Sequence, residues 1–274
     1  MIFAPFAFKN SVIGFDPNAQ AFITAAGITD ATQQNAINQL VLDLKSYSIW
    51  GKMFVIYPFV GGTSVTTKYN LVDPTAYQIT WNGGVTFSSN GVTGNGSTGY
   101  GQTGWNVTTV NATTGVTASL SLSVYSRTSS NSDASDIGVT NYPNTQAAIQ
   151  TLCRRANGTM YWDNYSSSNG RINSSVPNSQ GLMSTSRTAL TSMKIFRNGA
   201  QVGSTLATAA TTSDITSGLN REMYVFAANQ RGTAVDYTSR NLAFVHFSTG
   251  LTDAEMANLY TAVQAYQTTL GRQV

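Results

Sequence analysis

The sequence predicts a mainly β protein, a sandwich or jelly roll with a helix toward each end. Three observations carry this. Short runs alternate apolar and polar residues, they are punctuated by Asn-Gly turns, and a capped apolar stripe of helical period stands on either side of them. The alternation is clearest in Ser119-Leu120-Ser121-Leu122-Ser123-Val124-Tyr125, where a period of two puts Leu120, Leu122 and Val124 on one buried face. Turns are expected at Asn82-Gly83-Gly84, Asn90-Gly91, Asn95-Gly96, Asn157-Gly158, Asn169-Gly170 and Asn198-Gly199. Asn and Gly tolerate the positive φ that tight hairpins demand.

The first helix is placed near Asp30 to Tyr47. Asp30 and Gln33 fit a capping box, and Ile37, Leu40, Val41, Leu44 and Tyr47 recur at helical spacing. Residues 49–59, IWGKMFVIYPF, read as an apolar strand stopped by Pro58 and Gly61-Gly62. The last helix starts at Thr252, whose Thr-x-x-Glu pattern with Glu255 is a capping box. Met256, Leu259, Tyr260, Val263 and Leu270 form its stripe, and Gly271 stops it. Thr128–Ser135 and Tyr165–Ser175 read as surface loops. Residues 1–28 read as an irregular arm carrying Phe3, Phe6, Phe8, Phe15 and Phe22. Left in water, those rings would expose apolar surface, so they are expected to contact partner chains or the domain itself. The division expected is 1–67, an arm and helix for anchoring, and 68–274, the sandwich with its closing helix.

Only 10% of the residues are charged, against about 25% in typical soluble domains. Ser, Thr, Asn and Gln carry the polar surface instead. The formal charge is +3, with no cationic run longer than Arg154-Arg155. Nucleic-acid binding needs clustered cations, so that partner is not expected. No stretch approaches the ~20 apolar residues of a membrane span. The N-terminal MIFAPFAFKNS has no cationic start before its apolar residues, and a secretory signal is not expected. Cys153 is the single cysteine, which excludes an intrachain disulfide. His246, the single histidine, lies in an apolar strand and reads as a core or sheet-edge residue rather than a ligand or base.

The Lys194–Val202 hairpin, KIFRNGAQV, resembles that of concanavalin A-like (laminin G-like) jelly rolls, and LTDAEMANLY (Leu251 to Tyr260) resembles their closing helix. The segments IWGKMFVIYPFVGGTSVTTKYNLVDP, WNGGVTFSSNGVTGNGSTGYGQTGW, SVYSRTSSNSDASDIG and YTAVQAYQTTLGRQV are similar to virion-associated proteins of tailed phages, notably those infecting Bacteroidota. The resemblance covers most of residues 28–274. It implies a phage virion structural protein, such as a capsid decoration, head fibre or tail component. Such a protein is made in the host cytoplasm, displayed on the virion surface, and held by other virion proteins as a homo-oligomer, with a trimer as the expected state. No catalytic motif comes with it.

Two further readings follow from the residues. A glycan-binding receptor module needs aromatic faces and planar amides, which Trp105, Tyr161, Trp162 and Tyr165 supply together with Asp163 and Asn164, although core packing explains each aromatic more readily and alternation puts Tyr161 and Asp163 opposite Trp162 and Asn164, one set core and the other a shallow site. Its partner would be a host surface glycan. A polysaccharide hydrolase needs a close carboxylate pair, and the only glutamates are Glu222 and Glu255, the latter explained by its cap. Asp133 and Asp136 are the remaining pair, in a Ser-rich loop. The sequence therefore predicts no enzyme and no cofactor. Calcium through Asp133, Asp136 and Asp163 is the weakest of the ligand expectations, since no spaced acidic loop motif accompanies these residues.

Overall fold

The structure is a computed structural model that describes residues 14–108, 119–144, 148–166, 171–207 and 219–274. In chain order the elements are helices α1 (Pro17–Ala26) and α2 (Ala31–Ser46), then strands β1 (Met53–Tyr57), β2 (Thr80–Asn82), β3 (Thr86–Ser88), β4 (Gly91–Thr93) and β5 (Tyr100–Asn106). Next come β6 (Leu120–Ser126), β7 (Ile137–Thr140), β8 (Ala148–Leu152), β9 (Thr159–Ser166), β10 (Ile172–Ser175) and β11 (Gly181–Ala189). The chain ends with β12 (Ser192–Arg197), β13 (Ala200–Leu206), β14 (Glu222–Val225), β15 (Ala228–Gln230), β16 (Thr233–Val235), β17 (Asn241–Ser248) and helix α3 (Asp253–Thr269).

The strands make two sheets. One has eight strands in the order β13-β12-β11-β6-β17-β4-β3, with β1 on β17. The other has nine, β10-β9-β8-β7-β14-β5-β2, with β15 parallel to β7 and β16 on β15. Leu120, Leu122, Val124, Trp105, Ile137, Trp162, Val225 and Phe247 fill the space between the sheets. The fold is thus the predicted sandwich. Asn198 (φ 51°) and Gly199 (φ 76°) turn β12 into β13 through the positive-φ pair expected.

A second core lies outside the eight-stranded sheet. Ile56, Tyr125, Leu182, Phe196 and Phe244 from the strands pack against Phe22, Ile37, Leu40, Leu44, Leu259 and Val263 from the helices. The molecule therefore has three layers: helices, eight-stranded sheet, nine-stranded sheet. This explains why every residue of β6 is buried rather than every second one. Ser121 and Ser123 face the helical layer and are satisfied there, Ser121 donating to the Thr185 carbonyl (3.0 Å) and Ser123 to Ser184 Oγ (2.7 Å).

Four expectations change. The arm is not irregular from residue 14 onward. Asp16 caps α1 by accepting from Asn18 N–H, Pro17 opens it, and Gly27 closes it in the left-handed region (φ 65°). The stretch Tyr165–Ser175 is partly sheet, since β9 runs to Ser166 and β10 begins at Ile172. A boundary at residue 67 would cut the sheet, because β1 pairs with β17. The capping box at Asp30 is half made. Asp30 accepts from Gln33 N–H (2.8 Å), but the Gln33 side chain accepts from Gly61 N–H (2.8 Å).

The box at Thr252 is complete, and Glu255 also binds Lys52 at 2.6 Å. Thr252→Ala is expected to lower the unfolding free energy by about 1 kcal/mol, measured by urea denaturation. A variant as stable as the parent would show that helix packing alone holds this end.

Candidate functional site: the open face of the nine-stranded sheet

Helices α1, α2 and α3 cover the outer face of the eight-stranded sheet, and none of these three packs on the outer face of the nine-stranded sheet. Across it Asp163, Gln150, Gly138, Tyr224, Gln102 and Thr80 stand opposite one another on β9, β8, β7, β14, β5 and β2. The neighbouring row, Trp162, Thr151, Ile137, Val225, Gly101 and Trp81, points into the core. Gln150 donates to Asp163 (2.9 Å) and Gln102 to the Tyr224 hydroxyl (3.2 Å), so the outer row is linked by hydrogen bonds.

At the β5–β14 end this face sinks into a basin of about 430 Å³, lined by Gly104, Asn106, Asn220, Arg221, Glu222, Tyr224, Asn229 and Gly232. Its floor is built by alternation. Gln102, Gly104 and Asn106 face one way on β5, as do Glu222 and Tyr224 on β14. Glu222 is held down by its carboxylate, which accepts from Gly104 N–H (2.6 Å) and Gln102 Nε2 (3.5 Å). Gly104 has φ 67°, a conformation that favours glycine. Asn106 Nδ2 donates to Asn220 Oδ1 (2.7 Å).

The β15–β16 hairpin makes one wall. Buried Asn229 fixes it, donating to the Glu222 carbonyl (2.9 Å) and accepting from Gly232 N–H (2.7 Å). Tyr100 packs on Tyr224 (ring centroids 4.9 Å) and on Tyr237 (6.1 Å), forming an aromatic flank. Burial raises the phenol pKa of Tyr224, and likewise that of Tyr237, so both hydroxyls stay protonated at neutral pH. The basin thus joins a carboxylate, a guanidinium, three amides and a phenol. That inventory suits a ligand rich in hydroxyls, each of which can donate and accept.

The aromatic residues singled out from sequence lie elsewhere. Trp105 (1% exposed), Trp162 and Tyr165 (both 0%) are core residues, Trp105 stacking on Phe247 at 4.7 Å. They present no face to a sugar. Tyr161 alone among the four stands on the open face, outside the basin. Its ring is met by the guanidiniums of Arg155 (4.5 Å) and Arg171 (5.0 Å). The calcium expectation is corrected as well. Asp133 pairs with Arg155 (2.7 Å), Asp163 with Arg171 (2.6 Å), and Asp136 with Arg240 (3.0 Å) inside the protein, so the three carboxylates do not converge. The hydrogen bond from Arg155 lowers the Asp133 pKa. With Asp136 sealed in the core, Asp133 and Asp136 form no catalytic pair. Among the described residues no cluster of three His, Cys, Asp or Glu exists, and no helix is long and apolar enough to cross a membrane.

Of the assembly residues, Phe22 is buried and Phe15 partly buried in the chain's own helical layer. Of the two packings expected, on the domain itself or on a partner chain, their contacts show the first. Phe3, Phe6 and Phe8 lie outside the described residues.

The sequence matches no family model and no curated protein. Solved structures do match. A botulinum neurotoxin type C structure, whose cell entry depends on interaction with two ganglioside molecules, superposes with a TM-score of 0.52 at 14% identity. The match covers 80% of this chain and 53% of that one. Domain 4 of AbnA, a GH43 extracellular arabinanase from Geobacillus stearothermophilus, in complex with arabinotriose, gives a TM-score of 0.49 at 13% identity, over 76% of this chain and 98% of that domain. The chain has a jelly-roll fold. At these identities the fold is what is shared.

Proposed function

We propose that this chain is a glycan-binding module whose ligand occupies the basin between β5, β14 and the β15–β16 hairpin. The observation that carries the reading is the convergence of Glu222, Arg221, Asn106, Asn220 and Tyr224 on the face of the sandwich opposite helices α1, α2 and α3. Sharing a fold with a toxin that engages gangliosides supports it. The module binds without turnover. Glu222 is the single carboxylate among the described residues lining the basin, whereas glycosidases work with a pair. On a phage particle, the setting the sequence resemblance implies, the helical layer and the residues before it would face other virion proteins and further copies. The open sheet would then meet a host surface glycan.

The test is a glycan array followed by titration of the ligands it retains. Glu222→Gln keeps the shape of the floor but removes the charge, and is expected to weaken binding tenfold or more, the effect of losing a charge-assisted hydrogen bond. Tyr161→Ala, on the same face but outside the basin, is expected to leave affinity unchanged. Loss of binding with Tyr161→Ala and retention with Glu222→Gln would move the site to the Tyr161 end. An array that retains nothing would overturn the reading.

A further inference from the structure

Charged groups in this chain are few, and nearly all are matched. Lys45, Lys52, Arg155, Arg171, Lys194 and Arg240 each pair with a carboxylate. Arg127, Arg154, Arg197 and Arg272 donate to carbonyl or amide oxygens. Lys68 lies over the Tyr69 ring. Among the described residues, the side chains of Arg221 and Arg231 are the exceptions, with neither a hydrogen bond nor an ion pair; Arg221 lines the basin and Arg231 stands on the hairpin that walls it. Arg221 lines it, with Nη1 3.6 Å from the point where a Cβ on Gly232 would lie. Arg231 precedes that glycine at the hairpin tip, with φ 57°.

The obvious partner is turned away. Glu222 is next to Arg221 in sequence, but its carboxylate is turned toward Gly104 N–H and Gln102, each oxygen keeping room for a further donor, and the two side chains form no ion pair. The Arg221 guanidinium is therefore left without a carboxylate in the lining of a polar basin, with Arg231 one residue before the wall glycine Gly232, and a bound anion would supply the missing charge. Guanidinium presents a planar fork of N–H donors that matches a carboxylate or sulfate with two parallel hydrogen bonds.

We infer that the ligand is an acidic glycan, whose carboxylate or sulfate is bound by Arg221 with Arg231 adding charge, while Glu222 and the amides hold its hydroxyls. This rests on the binding reading above and names its substrate class. The preference belongs to the rim and the sugar contact to the floor, so the two are separable by substitution.

The experiment uses the full chain on an array of matched glycans that are neutral, carboxylate-bearing or sulfate-bearing on the same backbone. Binding of the anionic members is expected to exceed that of their neutral counterparts tenfold or more, and to weaken as sodium chloride rises, because exposed charges are screened. Arg221→Gln should remove that preference, bringing anionic members down to their neutral counterparts, and Arg221→Lys should restore part of it. Both arginines are exposed, so the variants fold. Glu222→Gln should weaken all members alike. Retention of carboxylated members alone, sulfated members alone or both supports the inference and identifies the anion. Equal binding of neutral and anionic members, or a preference untouched by Arg221→Gln, overturns it while leaving a glycan-binding site. Binding of no member overturns both.

Discussion

Asp136→Ala is expected to cost about 3–5 kcal/mol of folding free energy, the range for removing one partner of a buried ion pair. Asp136 and Arg240 are both 0% exposed, and Arg240 Nη1 lies 3.0 and 3.1 Å from the two carboxylate oxygens. The carboxylate also accepts from Cys153 N–H (2.8 Å), while Arg240 Nη2 donates to the carbonyls of Arg154 (2.7 Å) and Ser130 (3.2 Å). The pair thus joins the start of β7, the β8–β9 turn, the loop after β6 and the entry to β17, at one end of the sandwich. Burial opposes the charge on Arg240, and Asp136 more than offsets it, so the guanidinium pKa is raised. Alanine leaves that charge in the core with neutral acceptors only. Against a typical total of about 5–15 kcal/mol, the loss can leave the variant unfolded at room temperature. Guanidinium chloride denaturation measures it. The double variant Asp136→Leu with Arg240→Met tests the cause, because replacing both charges by apolar groups should recover most of the stability. A single variant within 1 kcal/mol of the parent would mean that the pair does not hold this end.

The same residue shows what a sequence can and cannot reveal. Asp136 sits in a Ser-rich run and reads as a loop carboxylate; nothing local announces Arg240, more than a hundred residues away. Period and caps were legible because they are local. The stripe of α2, the box of α3, the Asn198-Gly199 turn and the alternation of β6 all lie where their residues place them. Helix α1 was equally local, with Ala19, Phe22, Ile23 and Ala26 at helical spacing between Pro17 and Gly27. Its ten residues are short, and its aromatic neighbours suggested an external contact. Alternation also does not say what covers the second face. In β6 that face looked solvated, and the helices bury it.

The basin was the least legible part. Glu222 meets Gly104 across 118 positions, and Asn106 meets Asn220 across 114. The available signal was modest: polar residues at alternate positions, Gln102, Gly104 and Asn106 on one strand and Glu222 and Tyr224 on the other. Aromatic residues drew the expectation elsewhere because stacking on sugars is their familiar use. Here Trp105 and Trp162 are worth more as core, since a tryptophan buries a large apolar area.

Lowering the pH from 8 to 5 is expected to reduce stability by about 2 kcal/mol, through His246. The ring is fully buried on the helix-facing side of β17, in a row with Ile56, Ser123, Ser184 and Phe196. Its Nε2 lies 3.1 Å from Ser248 Oγ, and burial lowers its pKa to about 3. In the unfolded chain the imidazole takes up a proton near pH 6.5, whereas in the folded protein it stays neutral until about pH 3. Acid therefore favours unfolding, and the stability present above pH 6.5 is lost progressively down to pH 3, at about 1.4 kcal/mol per pH unit. Asp16, Asp73, Asp133 and Glu255, whose pKa values are lowered, add their own losses only at more acid pH, as they protonate. Asp236, whose pKa is raised by burial, works in the opposite sense, and with one histidine in the chain the comparison with a His246 variant isolates the His246 share of the change between pH 8 and 5. His246→Leu removes the titration and strands no partner, because Ser248 Oγ already donates to the Thr249 carbonyl (2.8 Å). Urea midpoints that fall with acid in the parent and stay level in His246→Leu are the expected result. Parallel curves for the two proteins would show that the proton is taken up elsewhere.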